Sequence, residues 1–129
     1  MSTSATKKSL LLVAHGSRRP ESNDEIRRLT ECLRRSSEDF DRIECAFLEI
    51  ESPSIPEGIR YLIEEGSTHI RVLPYFLSRG RHVVDDIPRE IKVVAREFPD
   101  IVIEQAPYIG QSPELVSMML GLARAGTND

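Results

Sequence analysis

Two of the three histidines in this chain follow apolar runs: His15 directly behind SLLLVA, and His82 after LPYFL and the polar SRGR. Neutral imidazole suits first-row divalent metals such as Co, Ni, Fe and Zn. Two imidazoles leave a coordination shell incomplete, so a carboxylate or a bound molecule must supply the rest. Glu49 in AFLEIESPS is the leading carboxylate, with Glu51 and Asp85 as weaker candidates. The segments around the histidines, HGSRRPESND and LSRGRHVVDDIP, also hold Arg18, Arg19, Arg79 and Arg81. Guanidinium groups form forks that match carboxylate or phosphate. A metal-capable pair rimmed by arginines points to a polyanionic small molecule. Gly16 and Gly80 allow close approach of backbone to such a ligand. Each feature alone has a plainer explanation: a histidine in a loop, a solvated strand-end carboxylate, surface arginines.

What separates these readings is whether the fold brings the two segments together. Ser9–Ala14 is a continuous apolar run, suited to a strand buried on both faces. Pro20 to Asp24 resembles a helix entrance, and Ile26, Leu29, Cys32 and Leu33 recur at helical spacing in a helix fading near Phe40. A second strand is expected at Ile43–Ile50, then a helix from about Pro56 that stops at Gly66. Ile70–Phe76 forms a third strand, which Pro74 should end or distort because proline removes a ladder donor. Helices over Val84–Phe98 and Ser112–Ala125 flank a fourth strand at Ile101–Ala106, with Pro88 in a first turn, Asp85 and Asp86 starting that helix, and Ser112 capping the last one.

The order is βαβαβαβα, which implies an open, mainly parallel four-stranded sheet flanked by helices. In such sheets ligands bind beyond the carboxyl ends of the strands, where strand order reverses. For the order 2-1-3-4 that crevice lies between strands one and three. His15 and His82 both leave those strands, whereas His69 sits at the opposite edge and is structural or exposed.

Composition narrows the classes further. With 129 residues, 40% hydrophobic and 29% charged, the chain fits one domain over 9–125, with short tails at 1–8 and 126–129. A net charge of -4 argues against binding nucleic acid through bulk positive charge. No apolar run approaches the roughly 20 residues that span a bilayer. Cys32 and Cys45 form no CxxC, so a reducing, cytoplasmic location is expected.

LLLVAHGSRRPESNDEI, AFLEIESPSIPEGI and VLPYFLSRGRHVVDDIP resemble, in order and spacing, the signature segments of the small CbiX/SirB sirohydrochlorin chelatases. The resemblance runs from about Ser9 to Pro113. It implies ATP-independent insertion of Co2+, or of Fe2+ or Ni2+, into a sirohydrochlorin-type tetrapyrrole, with no nucleotide. It assigns metal binding to His15 and His82 and matches the family's strand-two glutamate to Glu49. It also implies a half unit that pairs as a homodimer around the macrocycle. The histidine-rich stretch of some small members is lacking here. Two other functions compete. AHG faintly resembles the RHG signature of histidine phosphatases, but Ala14 stands where the arginine belongs. A metal or tetrapyrrole carrier without turnover would use the same residues. An FMN binder is disfavoured, because neither loop is rich in Ser or Thr.

Overall fold

The apolar run after Lys8 sets the centre of the molecule: Leu11, Leu12 and Val13 are at most 1% exposed. The computed structural model describes residues 5–126. Four strands, β1 (Lys8–Ala14), β2 (Arg42–Phe47), β3 (His69–Pro74) and β4 (Val102–Gln105), form one sheet in the order β2-β1-β3-β4. Every pairing is parallel, with Leu12 opposite both Cys45 and Leu73. The expected α/β class and strand order are therefore both present.

Side chains alternate across the sheet. Leu11, Val13, Ala46, Ile70 and Val72 pack against Ile55, Ile59 and Leu62 of α2 (Ile55–Glu64) and Ile87, Ile91 and Val94 of α3 (Ile87–Glu97). Burying each of the Leu, Ile and Val side chains among them contributes about 1.5–3 kcal/mol. The opposite face carries Leu12 and Leu73 toward α1 (Pro20–Ser36). α2 starts with a reciprocal capping box: Ser54 Oγ accepts from the Glu57 N–H, and Glu57 Oε1 accepts from the Ser54 N–H.

Element ends differ from expectation for identifiable reasons. β1 begins at Lys8, and Lys7 exchanges hydrogen bonds with Thr68, so these two residues belong to the fold rather than to a tail. Residues 1–4 and 127–129 of the expected tails lie outside the described residues. β2 ends at Phe47, because the chain turns through Ile50 with φ 77°, although Leu48 and Glu49 still donate to Ala14 and His15 carbonyls. β3 ends at Pro74 as its missing N–H requires. α1 starts at Pro20, which occupies the first turn. The last helix, α4 (Glu114–Ala125), has Pro113 rather than the expected Ser112 at its N-cap, one residue later, although Ser112 Oγ still accepts from the Glu114 N–H at 3.2 Å.

α4 has no buried residue. Val116, Met118, Met119, Leu120 and Leu122 are 48–69% exposed, an apolar surface left uncovered by the other described residues. Beside it lies an apolar groove of about 450 Å³ between Leu29 and Leu33 of α1, Leu73, Phe76 and Met118.

Candidate metal site

The β1 exit is held in shape by three contacts. Asn23, 5% exposed, spans the turn: its Oδ1 accepts from the Ser17 N–H at 3.0 Å and its Nδ2 donates to the Ser17 carbonyl at 2.8 Å. Gly16 adopts φ 95°, and a Cβ there would stand 1.9 Å from the Glu49 carbonyl oxygen. Only glycine permits that conformation and that approach together. Gly16 thereby seats the β1 exit against the β2 exit and brings His15 beside Glu49.

The result is an unusual hydrogen-bond account for one ring. His15 Nδ1 lies 2.9 Å from the Gly16 carbonyl oxygen, and its Nε2 lies 2.9 Å from Glu49 Oε2. Both nitrogens face acceptors, but a neutral imidazole carries one N–H. With that proton on Nδ1, the Nε2 lone pair points at a carboxylate. Nε2 and Oε2 then offer lone pairs side by side, as two donors to one cation would.

The β3 exit runs through Tyr75, Leu77 and Gly80 into a π-helical turn at His82–Asp86 before α3. Gly110, in the short 3-10 turn Ile109–Gln111, donates to the Phe76 carbonyl at 3.0 Å. A Cβ on Gly110 would sit 1.8 Å from the Leu77 carbonyl oxygen, so this contact fixes the loop carrying His82. The His82 ring centroid lies 5.0 Å from that of His15 and 5.9 Å from that of Phe76. The two histidines thus meet at the strand-order reversal, 43% and 41% exposed at their side chains.

Asp86 was expected only to start a helix. Its side chain makes no capping bond and instead reaches His82 Nδ1 at 2.8 Å and Arg89 Nη2 at 2.8 Å. The His82 and Arg89 hydrogen bonds hold its carboxyl below the usual range. Glu51 points elsewhere: it pairs with Arg27, whose hydrogen bond lowers its carboxyl pKa, and Arg27 lies over the Phe47 ring at 5.4 Å. That engagement removes Glu51 from the set of candidate ligands. Asp85 is exposed, and Gly80 has open space where a Cβ would stand. His69 opens β3 at the far edge and bonds Thr68 Oγ1 at 2.9 Å, a structural place as expected.

Arg18, Arg19, Arg79 and Arg81 are all exposed, and among the described residues none is in an ion pair. Arg27, Arg34, Arg42, Arg60, Arg71 and Arg89, in contrast, each hold a carboxylate. The guanidinium groups on the two site loops are therefore available to an anion. Among the described residues no three His, Cys, Asp or Glu side chains converge as a closed metal cage. His15 and His82 stand half-exposed rather than in a closed cage, with Glu49 beside His15 alone.

A family model described as CbiX matches residues 9–124. The chain belongs to the CbiX family. The sirohydrochlorin ferrochelatase of Bacillus subtilis strain 168 is 35% identical to this CbiX chain over 111 residues, 85% of this chain and 42% of that protein. The sirohydrochlorin cobaltochelatase of Methanocaldococcus jannaschii is 36% identical over 85 residues, 66% of this chain and 59% of that one. Among solved structures, the sirohydrochlorin chelatase SirB from Bacillus subtilis subspecies spizizenii in complex with cobalt superposes with a TM-score of 0.85 at 31% identity. That match covers 93% of this chain and 51% of SirB. The CbiX chain spans about half the length of these relatives.

Asn23, Asp86 and Gly110 shape the candidate site, and residue type did not single them out. The closure of the turn at Ser17 by Asn23 depends on a loop path, and Gly110 acts from another element altogether. Only Asp86 left a trace, as the carboxylate four positions after His82.

Proposed function

We propose that this protein inserts a divalent metal ion into sirohydrochlorin without nucleotide hydrolysis, with Co2+ as the favoured ion and Fe2+ or Ni2+ as alternatives. The observation that carries this proposal is the meeting of His15 and His82 at the sheet's reversal point, with Glu49 Oε2 2.9 Å from His15 Nε2. Sirohydrochlorin chelatases of both iron and cobalt type among the relatives support the substrate.

Insertion exchanges one M2+ for the two N–H protons of the macrocycle, so the site must release an ion and receive protons. His15 and His82, as neutral imidazoles, hold the ion and leave its remaining positions to the pyrrole nitrogens. As the ion leaves, Nε2 of His15 and Glu49 Oε2, 2.9 Å apart, share one of the two protons, and the vacated Nε2 of His82 takes the other. Positioned acid–base groups of this kind typically contribute about 10²–10⁴-fold. Arg18, Arg19, Arg79 and Arg81 orient the carboxylates of the tetrapyrrole, which aligns its nitrogens with the ion.

A homodimer is part of the proposal. One SirB chain has the length of two such units. A second copy is the occupant that supplies the missing half here, covering the apolar surface of α4 and the adjacent groove. The unpaired Cys32 and Cys45 support a reducing cytoplasmic setting.

The alternative is a carrier that binds metal or tetrapyrrole without turnover. Substoichiometric protein mixed with sirohydrochlorin and Co2+, Fe2+ or Ni2+ separates the two. Growth of the metallated absorption spectrum beyond one equivalent, above the protein-free rate, identifies an enzyme, and a single stoichiometric step identifies a carrier.

A further inference from the structure

We propose that Asp86 is a positioning residue that fixes the His82 imidazole with its proton on Nδ1, so that Nε2 faces the metal ion. The inference rests on the metal-site reading above and assigns a role to a residue outside that reading. Its origin is local. Pro88 has no N–H to donate to a carbonyl four residues back, and the turn before it widens so that the Ile87 N–H reaches the His82 carbonyl, five residues earlier. The widened turn places Asp86 against the ring of His82, with its side chain 17% exposed.

Both carboxylate oxygens are committed there. Oδ2 is 2.8 Å from His82 Nδ1, and Oδ1 is 2.8 Å from Arg89 Nη2. An ionised carboxylate only accepts hydrogen bonds. The proton in the Asp86–His82 contact therefore belongs to Nδ1, and a neutral His82 carries its lone pair on Nε2. Arg89 holds the far oxygen, which keeps Asp86 from rotating away. His15 follows the same rule by another route, since its Nδ1 lies 2.9 Å from the Gly16 carbonyl. Both rings are thus anchored through Nδ1 and present Nε2, one through a backbone acceptor and one through a side chain. Outer carboxylates of this kind typically change metal affinity by about 10–100-fold.

The test combines a measurement on the unmodified protein with a variant. In 15N-detected NMR of the metal-free protein, His82 is expected as the Nδ1–H tautomer. In Asp86→Asn, whose amide keeps the size and can turn its NH2 toward the ring, that tautomer should lose its dominance. The Kd for Co2+, titrated without tetrapyrrole, should rise about 10–100-fold, with His82→Ala as the control. An Nε2–H tautomer in the wild type would overturn the assignment even if Asp86→Asn failed to fold. So would a folded Asp86→Asn that binds Co2+ like wild type while His82→Ala is weakened. Unchanged Co2+ affinity in His82→Ala would overturn the metal-site reading itself, and the Asp86 role with it.

Discussion

His15 faces an acceptor at each ring nitrogen, and Gly16 is the reason. The φ of 95° and the 1.9 Å that would separate a Cβ from the Glu49 carbonyl tie the two strand exits together. Gly16→Ala should destabilise the fold by about 2 kcal/mol or more, read from the urea midpoint, and should weaken Co2+ binding by parting Glu49 from His15. A variant as stable and as tight as wild type would show that this approach is not required. In the proposed reaction, the exposed Arg79 and Arg81, in no ion pair among the described residues, align the substrate. Their alanine variants should raise KM for the tetrapyrrole severalfold with kcat little changed, and an unchanged KM would make them ordinary surface residues. His15, His82 and Glu49 were legible as candidates because residue type and position on the loops leaving the strands both mark them. Asp86 and Asn23 were not, because their roles depend on a π turn and a loop path that no spacing rule encodes.

At the level of elements, the strand order and the four helices followed from alternating apolar runs and helical periodicity. Their ends moved where backbone constraints acted, as with β2 at Ile50 and α3 behind its π turn. The contact between α2 and α3 carries a two-pronged ion pair, Arg60 Nε to Glu97 Oε1 at 3.0 Å and Nη2 to Oε2 at 2.8 Å. That hydrogen bonding lowers the Glu97 carboxyl pKa. A depressed carboxylate contributes stability that is complete above its unfolded pKa of about 4.3 and lost as pH falls through the folded value. Wild type should therefore exceed Glu97→Gln in stability by a modest margin, constant from pH 7 to about 5, because the pair is solvent-exposed. The margin should close below about pH 4. Chemical denaturation across that range measures it, and a margin independent of pH would contradict the assignment.

For the whole molecule, α4 is uncovered among the described residues, and this is the surface the proposed second copy would bury. The apolar character of α4 was visible in ELVSMMLGLARA, but its lack of cover was not, because that depends on where the chain folds back. A Met119→Lys/Leu122→Lys double variant should sediment as a monomer, retain its fold and lose most insertion activity, whereas a fully active monomer would dispense with the second copy. The central claim is that His15 and His82 together pass a divalent ion to sirohydrochlorin. The direct measurement is the multiple-turnover rate of sirohydrochlorin metallation by Co2+ for wild type, His15→Ala and His82→Ala, each with its fold verified. Wild type should turn over well above the protein-free rate, and each variant should fall at least about 10²-fold. Turnover near wild type in both variants would contradict it.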